Sequence, residues 1–306
     1  MDSNSFWFSF EPLFMQWLQS HLGIIGQWTA VFLTYLAEPV SGVAIGCVIY
    51  WCFDKEYGKI LGENQVSSAL FTPLIKNVFL RRRPYFDHPG IKCLKPVESG
   101  APINDIEAQG YSFPSGHSTN ASAVTATLAT LYKKRIFKVL AVVIPILVAL
   151  SRVALGVHYP TDVLAGLAVG YLTVFVMAFM RKRLKNRYIM YLIVFAVSAT
   201  GIFFCKTEDY FTTLGIQGGF FLAMVFEEKF VGFTGTRSPI RCILRTSVGF
   251  ALYFALNYLL KLPFSSEFLD SGTLSAHLVR SGRYLLTVFL LLGVYPKFFV
   301  LGGRFE

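Results

Sequence analysis

The sequence predicts an all-α fold, a polytopic membrane helical bundle with about nine transmembrane helices. Of the 306 residues, 54% are hydrophobic and only 15% are charged, whereas a soluble domain carries about 25% charged residues. Apolar runs of about 18 or more residues recur along the chain, and each is long enough to cross a bilayer as a helix. Composition and run length together therefore indicate a protein that is embedded in a membrane.

The elements follow in order from these apolar runs. Residues 6–21, FWFSFEPLFMQWLQSH, mix aromatic with polar side chains and predict an interfacial amphipathic helix. The predicted spans lie at about 26–52, 56–79, 116–132, 136–153, 160–180, 187–205, 210–227, 240–262 and 275–298. The stretch AEPVSG at 37–42 could split the first span in two.

Basic residues between the apolar runs predict the orientation, because short loops rich in Lys and Arg stay in the cytoplasm. The loops KKRIFK (133–138) and RKRLKNR (181–187) both fall inside if the N-terminus lies outside. The loop 81–115 then lies outside, although it is basic too. Its cations are Arg81, Arg82, Arg83, Lys92 and Lys95. A basic cluster on that side indicates that these charges have a role other than determining the membrane topology.

Other features of the composition exclude several classes of protein. A net charge of +10 would suggest nucleic acid as the partner of a soluble chain, but the basic loops account for it here, so we expect the membrane bilayer and no nucleic acid. The five Cys are scattered without a CxxC pair, which argues against a zinc site or a disulfide framework. The N-terminus lacks the basic region and cleavage site of a signal peptide, so the first apolar helices are expected to direct insertion.

Three short stretches on the predicted outer face carry ionisable and helix-breaking residues. The first is KNVFLRRRP (76–84), at the end of the second predicted span. A continuous helix would place Lys76 and Arg83, two turns apart, on one face with about 10 Å between them. Pro84 would end that helix just after Arg83. We therefore expect two cations at one membrane surface.

The second and third stretches bring two histidines to the same surface. PSGH (114–117) opens the third predicted span, and SRVALGVHYPTD (151–162) joins the fourth span to the fifth. The topology can therefore bring His117 and His158 together with the cations. Asp162 follows His158 by one helical turn.

Fixed cations in this arrangement suit an oxyanion with several charges, most simply phosphate. Arg grips a phosphate with a bidentate fork and Lys with a point charge, and the candidates are Lys76, Arg83 and Arg152. Ser115 and Gly116 stand at a helix N-terminus, where free N–H groups and the helix dipole favour an anion. These five residues are predicted to bind the phosphate of a substrate.

The two histidines suit different steps of phosphoryl transfer. A neutral imidazole can attack phosphorus, and an Asp bonded to its other ring nitrogen would fix the tautomer; His158 with Asp162 fits this role. A protonated histidine can give a proton to the leaving oxygen, and His117 fits that one. No metal or other cofactor is required, because the cations already stabilise the developing charge.

The three stretches resemble the signature of the type 2 phosphatidic acid phosphatase family, whose core is shared with the vanadium haloperoxidases. The family pattern is K-x6-R-P, then P-S-G-H, then S-R-x5-H-x3-D. Every position is matched, by Lys76, Arg83, Pro84, Pro114, Ser115, Gly116, His117, Ser151, Arg152, His158 and Asp162. The resemblance implies a phosphohistidine intermediate on His158, acid catalysis by His117 and phosphate binding by the five residues named above.

The motifs cover about residues 55–180, and we expect three parts in the chain. These are an interfacial amphipathic helix (1–25), a catalytic phosphatase core (26–182) and additional transmembrane helices packed on that core (183–306). Nine spans with an outside N-terminus resemble the sphingosine-1-phosphate phosphatase and glucose-6-phosphatase branches. The function expected is hydrolysis of a lipid phosphate monoester, of a sphingoid base or like phosphatidic acid, at the non-cytoplasmic face.

Other interpretations remain open at this point. An isoprenoid diphosphate or a soluble sugar phosphate could be the substrate, and a lipid transporter or a scaffold is the alternative that involves no chemistry. A transporter needs polar groups deep in several spans, and the last four predicted spans offer few. Arg81 and Arg82 are interpreted as lipid-headgroup anchors, and His88 is a candidate for substrate contact.

Overall fold

The computed structural model describes residues 3–302, which fold into helices without a β-strand. The predicted all-α class is confirmed. The remaining residues, 1–2 and 303–306, belong to the first and third predicted parts and lie outside this description. The helices are α1 (Phe10–His21), α2 (Gly23–Leu36), α3 (Pro39–Val48), α4 (Lys55–Phe79), α5 (Pro84–Asp87), α6 (Ile106–Gln109), α7 (Gly116–Tyr132), α8 (Arg135–Ala154), α9 (Pro160–Arg183), α10 (Arg187–Ala199), α11 (Glu208–Phe230), α12 (Pro239–Leu259), α13 (Ser266–Leu269), α14 (Leu274–Phe289) and α15 (Lys297–Gly302).

Each predicted span coincides with a helix or a pair of helices. Short π or 3₁₀ turns extend α3, α10 and α14, at Ile49–Phe53, Thr200–Phe203 and Leu290–Val294. The first predicted span is broken between α2 and α3, inside the AEPVSG stretch, where Ala37 leaves the helical conformation. Four helical segments are long and apolar enough to cross a membrane, namely Arg135–Ala154, Pro160–Arg183, Pro239–Leu259 and Leu274–Val300. A fifth follows if α2 and α3 form one span, so the number of nine stays a prediction.

Helix α4 is too polar to count among these candidate membrane-spanning helices. Its buried side chains include Lys59, Glu63, Asn64, Gln65, Ser67, Ser68 and Thr72. Polar groups of this kind are stable inside a membrane protein only when other protein groups, and not lipid, surround them. The polar face of α4 is therefore an interior face.

The described chain forms two compact units. The first contains the residues up to Gly42 together with Phe71–Val176, and the second contains Val43–Leu70 together with the residues from Met177 onward. All of the predicted site residues belong to the first unit. The three-part division of the chain, at residues 25 and 182, stays a prediction.

Apolar side chains hold the first unit together on both sides of the loop that follows α8. One cluster consists of Met15, Ile91, Ala149, Val153, Tyr159 and Val163. A second consists of Ala30, Tyr85, Ala154, Leu155 and Val157. Since full burial of one large apolar side chain stabilises by about 1.5–3 kcal/mol, these clusters fix the loop containing His158 against α1, α2 and α8.

Two glycines let α9 approach α7 closely. Gly166 and Gly170 lie one turn apart, and a Cβ atom on Gly166 would collide with the main-chain oxygen of Ser115. A Cβ atom on Gly170 would collide with the main-chain oxygen of Thr119 and the hydroxyl of Ser122. This is the small-xxx-small spacing of tight helix pairs in membranes. It brings the first turn of α7 against the first turns of α9.

The second unit buries two carboxylates, each with cationic partners. Glu227 of α11 pairs with Lys55 at 3.0 Å and with Lys59 at 3.4 Å. Glu63 of α4 pairs with Arg181 at 2.8 Å and with Arg187 at 3.0 Å. Buried charges without such partners would be strongly destabilising. These pairs therefore join α4 to the helices that follow α9.

Candidate active site

The first motif does not form one helix. Helix α4 ends at Phe79, and Leu80 takes a left-handed conformation with φ of 52°. The prediction that a continuous helix runs to Arg83 is therefore wrong. The main chain at 80–82 pairs with Asn4 instead, through hydrogen bonds of 2.8 Å to the oxygen of Leu80 and 2.9 Å from the N–H of Arg82. The residue before a proline also disfavours helix, so Arg83 is extended.

Lys76 remains in the last turn of α4, whereas Arg83 joins two other loops. The Arg83 Nε atom donates to the main-chain oxygens of Gln109 at 2.8 Å and Gly110 at 3.0 Å. Its Nη1 atom donates to the oxygen of Val157 at 3.0 Å. The side chain is buried. Arg83 is therefore held rigidly, next to the residue that precedes His158.

The PSGH motif forms the start of α7. Ser115 is the N-cap, and its hydroxyl accepts a hydrogen bond of 3.4 Å from the N–H of Ser118. Gly116 is the first helical residue, and a Cβ atom there would lie 3.7 Å from the Thr72 side chain of α4. His117 follows in the first turn and is half-buried. The motif therefore presents its histidine and a helix N-terminus at one end of the first unit.

The third motif spans the turn from α8 into α9. Gly156 takes φ of 77°, and a Cβ atom there would collide with the main-chain oxygen of Lys92, so only glycine fits this tight turn. Arg152 lies in the last turn of α8 and donates from Nη1 to the Thr34 hydroxyl at 3.2 Å. Its buried Nε atom has no hydrogen-bond partner among residues 3–302. That donor is available for an anion.

His158 and Asp162 face each other at the start of α9. The His158 Nδ1 atom lies 3.5 Å from Asp162 Oδ2, and both side chains are buried. This distance is longer than an ordinary hydrogen bond, and the Nδ1 atom has no hydrogen-bond partner among the described residues. Asp162 Oδ2 accepts from the N–H of Tyr159 at 2.8 Å. The carboxylate is thus fixed beside Nδ1, which leaves Nε2 as the ring nitrogen that can react.

Burial lowers the pKa of His158 well below its usual value, and nearby positive charges lower it further. Those charges are Arg83, Arg152, Lys76 and His117, in decreasing order of effect. The predicted cations and the second histidine are therefore within electrostatic range of His158. At neutral pH the imidazole is neutral, which is the form that can act as a nucleophile.

Comparison with known proteins shows what the chain is similar to. The sequence model of the PAP2 superfamily matches residues 59–187. The chain carries a PAP2 superfamily domain. This confirms the predicted type 2 phosphatidic acid phosphatase family. A second model, the transmembrane extension of PAP2 superfamily phosphatases, matches residues 211–304. With the apolar helices α8, α9, α12 and α14, it confirms a multi-pass integral membrane protein.

Three curated relatives illustrate the similarity of the PAP2 domain. The lipid A 1-phosphatase of Rhizobium etli is 36% identical over 114 residues, which cover 37% of this chain and 45% of the relative. Phosphatidylglycerophosphatase B of Bacillus subtilis is 38% identical over 91 residues, 26% of this chain and 44% of the relative. Undecaprenyl-diphosphatase BcrC of Bacillus subtilis is 29% identical over 143 residues, 45% of this chain and 66% of the relative. The chain thus spans less than half the length of the first two. No solved structure matches it.

All three motifs lie inside the PAP2 domain, but the structure adds residues that sequence reasoning missed. Arg81, interpreted as a headgroup anchor, is only 1% exposed, so that prediction is wrong. It pairs with Asp162 at 2.7 Å and with Glu11 of α1 at 3.0 Å. Glu11, an acidic residue within the aromatic stretch 6–21, was the one sequence signal that could have indicated a buried partner for Arg81.

The other cations of the basic loop also have acidic partners or aromatic neighbours. Arg82 pairs with Asp87 at 2.6 Å and is 36% exposed. Lys95 pairs with Glu38 at 3.1 Å and lies 3.6 Å from the centre of the Tyr35 ring. His88, a candidate for substrate contact, has its ring 4.6 Å from Trp7 and 6.0 Å from Tyr159, centre to centre. These contacts hold the loop against the segment before α1, against α2 and against the turn before α9.

Proposed function

We propose that the protein is an integral membrane phosphatase that hydrolyses a lipid phosphate monoester through a phosphohistidine on His158. The observation that carries the proposal is the position of His158: its Nδ1 atom lies 3.5 Å from Asp162, and the cations Lys76, Arg83 and Arg152 act on its ring. A neutral imidazole with one nitrogen beside a carboxylate, in the electrostatic field of three cations, suits attack on a phosphate.

The reaction has two steps. In the first, His158 Nε2 attacks phosphorus, a P–N bond forms, and the P–O bond to the lipid alkoxide breaks as His117 donates a proton to that oxygen. Asp162 stabilises the positive charge that develops on the His158 ring. In the second, His117 accepts a proton from water, the water oxygen attacks phosphorus, and the P–N bond breaks to release inorganic phosphate.

The remaining residues stabilise charge on the phosphoryl oxygens. Burying the Arg152 Nε donor without a partner costs free energy, and an anion would relieve that cost. Arg83 is orientated by three main-chain oxygens, so little freedom remains for it to lose on binding. The N-terminus of α7 at Ser115 and Gly116 adds its dipole. Together these groups can replace the charge that a metal would otherwise supply.

The location of the site favours a lipid substrate. Lys76, His117 and Asp162 all lie at helix ends, where a headgroup at the interface can reach them while its tail stays in the bilayer. The relatives named as lipid A 1-phosphatase and phosphatidylglycerophosphatase B support a phosphate on a lipid. Both a sphingoid-base phosphate and a lipid like phosphatidic acid fit this class.

An isoprenoid diphosphate is the second candidate substrate. Similarity to the undecaprenyl-diphosphatase BcrC covers 66% of that relative, a larger share than for the other two relatives named above. The isoprenoid tail would lie in the bilayer in the same way, and the terminal phosphate would bind the same cationic side chains. A soluble sugar phosphate, a transporter and a scaffold have no comparable support from the relatives.

The site is proposed to face away from the cytoplasm, outside the cell, in the periplasm or in a lumen. Helix α7 begins one residue before His117 and ends next to the basic loop 133–138, and α9 begins two residues before Asp162 and ends in the basic loop 181–187. Because such loops stay inside, the opposite ends of both helices lie outside.

A phosphate-release screen of the purified protein tests the proposal. The substrates are phosphatidic acid, sphingosine 1-phosphate, undecaprenyl diphosphate and glucose 6-phosphate, each with and without EDTA. We expect release from at least one lipid, unaffected by EDTA, and none from the His158→Ala variant. Release from glucose 6-phosphate alone, or from no compound, would contradict the lipid phosphatase; loss in EDTA that Mg²⁺ or Zn²⁺ restores would contradict the metal-free mechanism.

A further inference from the structure

The carboxylate of Asp162 is attached to the N-terminal helix α1 through a buried network of charged groups. Arg81 Nη1 donates to Asp162 Oδ1 at 2.7 Å, and Arg81 Nη2 donates to Glu11 Oε2 at 3.0 Å. All three side chains are almost completely buried, with exposures of 1% for Arg81 and 0% for Glu11 and Asp162. One arginine thus bridges two carboxylates in the protein interior.

Thr161 closes this network into a ring. Its hydroxyl donates to Glu11 Oε1 at 2.7 Å and accepts from Arg81 Nη1 at 2.7 Å. Its main-chain N–H, at the start of α9, donates to the same Glu11 oxygen at 2.9 Å. A hydroxyl can donate once and accept as well, so both contacts are compatible. Glu11 therefore holds the beginning of the helix that presents Asp162.

Every part of Arg81 is restrained. Its Nε atom donates to the main-chain oxygen of Phe6 at 2.8 Å. Its guanidinium carbon lies 4.6 Å from the centre of the Phe6 ring and 4.0 Å from that of Tyr159. A planar guanidinium that is stacked and donates from all three nitrogens cannot turn without breaking several contacts. It therefore fixes the one Asp162 oxygen that His158 does not face.

Glu11 is equally restrained. Its Oε2 atom accepts hydrogen bonds from the N–H of Phe8 at 2.9 Å and from Arg81. Its Oε1 atom accepts from the hydroxyl and from the main-chain N–H of Thr161. Four donors therefore converge on this carboxylate. Arg81 thus lies between two carboxylates, Glu11 and Asp162, and pairs with both.

We infer that Glu11 and Arg81 are positioning residues for the predicted nucleophile, which act by orienting and charge-balancing the Asp162 carboxylate beside His158. The inference rests on the proposed function. It extends the working site beyond the PAP2 domain, because Glu11 lies before the first matched residue, 59. The N-terminal helix is then part of the phosphatase and not only a membrane anchor.

The test measures kcat and KM for phosphatidic acid in mixed micelles with the full-length protein. Glu11→Gln keeps the size of the side chain and removes its charge, and we expect kcat to fall about 10–100-fold, as for residues that orient a functional group. KM should change less than about threefold, because the phosphate-binding cations are untouched. Glu107→Gln, on the exposed loop, is the matched control and should keep both constants.

A double mutant separates positioning from general stability. If Glu11 acts through Asp162, adding Glu11→Gln to Asp162→Asn should change kcat less than about twofold, since residues that act as a unit are not additive. If Glu11 had only a structural role, Glu11→Gln would reduce kcat by the same factor in the wild-type protein and in Asp162→Asn. Additive effects would therefore overturn the inference, as would a wild-type kcat for Glu11→Gln.

Two further variants keep the inference testable if Glu11→Gln fails to fold. Thr161→Val keeps the shape of the side chain, removes the hydroxyl that joins Glu11 to Arg81, and should lower kcat up to about 10-fold. Arg81→Gln should lower kcat at least as much as Glu11→Gln, whereas Arg82→Gln, which breaks the partly exposed ion pair with Asp87, should not. Wild-type kcat in Thr161→Val and Arg81→Gln would overturn the inference. A wild-type protein that releases no phosphate from any lipid would overturn the proposed function as well, whereas an active wild type with unaffected variants would overturn only this inference.

Discussion

The main-chain N–H of Ser115 donates a hydrogen bond of 2.9 Å to the main-chain oxygen of Asp162. Ser115 caps α7, the helix that begins with Gly116 and His117, and Asp162 lies in the first turn of α9. One hydrogen bond thus fixes α7, which carries the proposed acid His117, against α9. Helix α9 carries Asp162, the carboxylate beside the proposed nucleophile His158. The relative position of the two histidines depends on this junction.

Gly166→Ala should disrupt that junction. The added Cβ atom would lie 2.5 Å from the main-chain oxygen of Ser115, so α7 and α9 must move apart, and overpacking of this kind costs about 1–3 kcal/mol. We expect a lower Tm and a lower kcat, measured by thermal denaturation and phosphate release. Gly282→Ala, where a Cβ atom meets nothing within 4 Å, is the control and should keep both. Unchanged values in Gly166→Ala would show that the close approach is dispensable.

Asp162→Asn should preserve the fold and slow the reaction by orders of magnitude. The amide nearly keeps the shape of the carboxylate, but it cannot stabilise the charge on His158, and the equivalent change in a serine protease triad costs about 10⁴-fold in kcat. Rapid-quench measurement of acid-labile protein phosphate should show slower formation of the intermediate. Near-normal formation would mean that Asp162 has a structural role only.

The pH dependence of kcat/KM should reveal the lowered pKa of His158. Because burial and the charges of Arg83, Arg152 and Lys76 favour the neutral ring, the acid limb should lie below the usual histidine value of about 6.5. His158 is active only when neutral, so activity falls as the pH drops through that pKa. Arg152→Gln removes one positive charge and should move the limb to higher pH. A limb that stays in place, or moves to lower pH, would contradict the assignment of His158.

Vanadate should inhibit the wild-type protein and raise its Tm. A five-coordinate vanadate on His158 Nε2 resembles the transition state, which an enzyme binds more tightly than its substrate, and a ligand of the native state stabilises it. His158→Ala should lose both effects, whereas Arg82→Gln should retain them. Insensitivity of the wild type to millimolar vanadate would argue against a histidine nucleophile.

Labelling of introduced cysteines tests the orientation, and the native Cys47, Cys52 and Cys205 are buried. In a protein with Cys93→Ser and Cys242→Ser, Ser99→Cys in the loop 81–115 should react with a membrane-impermeant maleimide in intact cells. Lys185→Cys in the basic loop 181–187 should react only after the membrane is permeabilised. Both positions are exposed in the structure, so access depends on the side of the membrane. The reverse pattern would overturn the topology and the proposal that substrate arrives from outside.

Local sequence patterns were sufficient to predict the helices, and they singled out the motif residues of the candidate site. Long apolar runs locate α8 and α9, and Gly156 and Pro160 mark the turn that contains His158. The helical spacing of Lys76 and Arg83 was misleading, because Asn4 pairs with the main chain at 80–82 from a distant part of the sequence. No local pattern contains that contact.

Arg81 shows the second limit of sequence reasoning. In the run Arg81, Arg82 and Arg83, three identical side chains have different partners. These are two buried carboxylates for Arg81, the Asp87 carboxylate for Arg82 and main-chain oxygens for Arg83. Residue type alone could not distinguish them. The partners Glu11 and Asp162 lie 70 and 81 residues away along the chain, so only the folded arrangement assigns each arginine its environment.

The contact between Glu11 and Thr161 has a consequence for biosynthesis. The two residues are 150 positions apart, so the ribosome makes the carboxylate long before the two Thr161 donors exist. Until α9 begins to emerge, Glu11 Oε1 lacks these donors, and a charged group with an unsatisfied oxygen is not stable in an apolar environment. The contacts of α1 with Thr161 therefore form only after α8 and the start of α9 have been made. Helix α1 precedes the other described helices along the chain, yet its set of contacts is complete only once α9 begins to emerge.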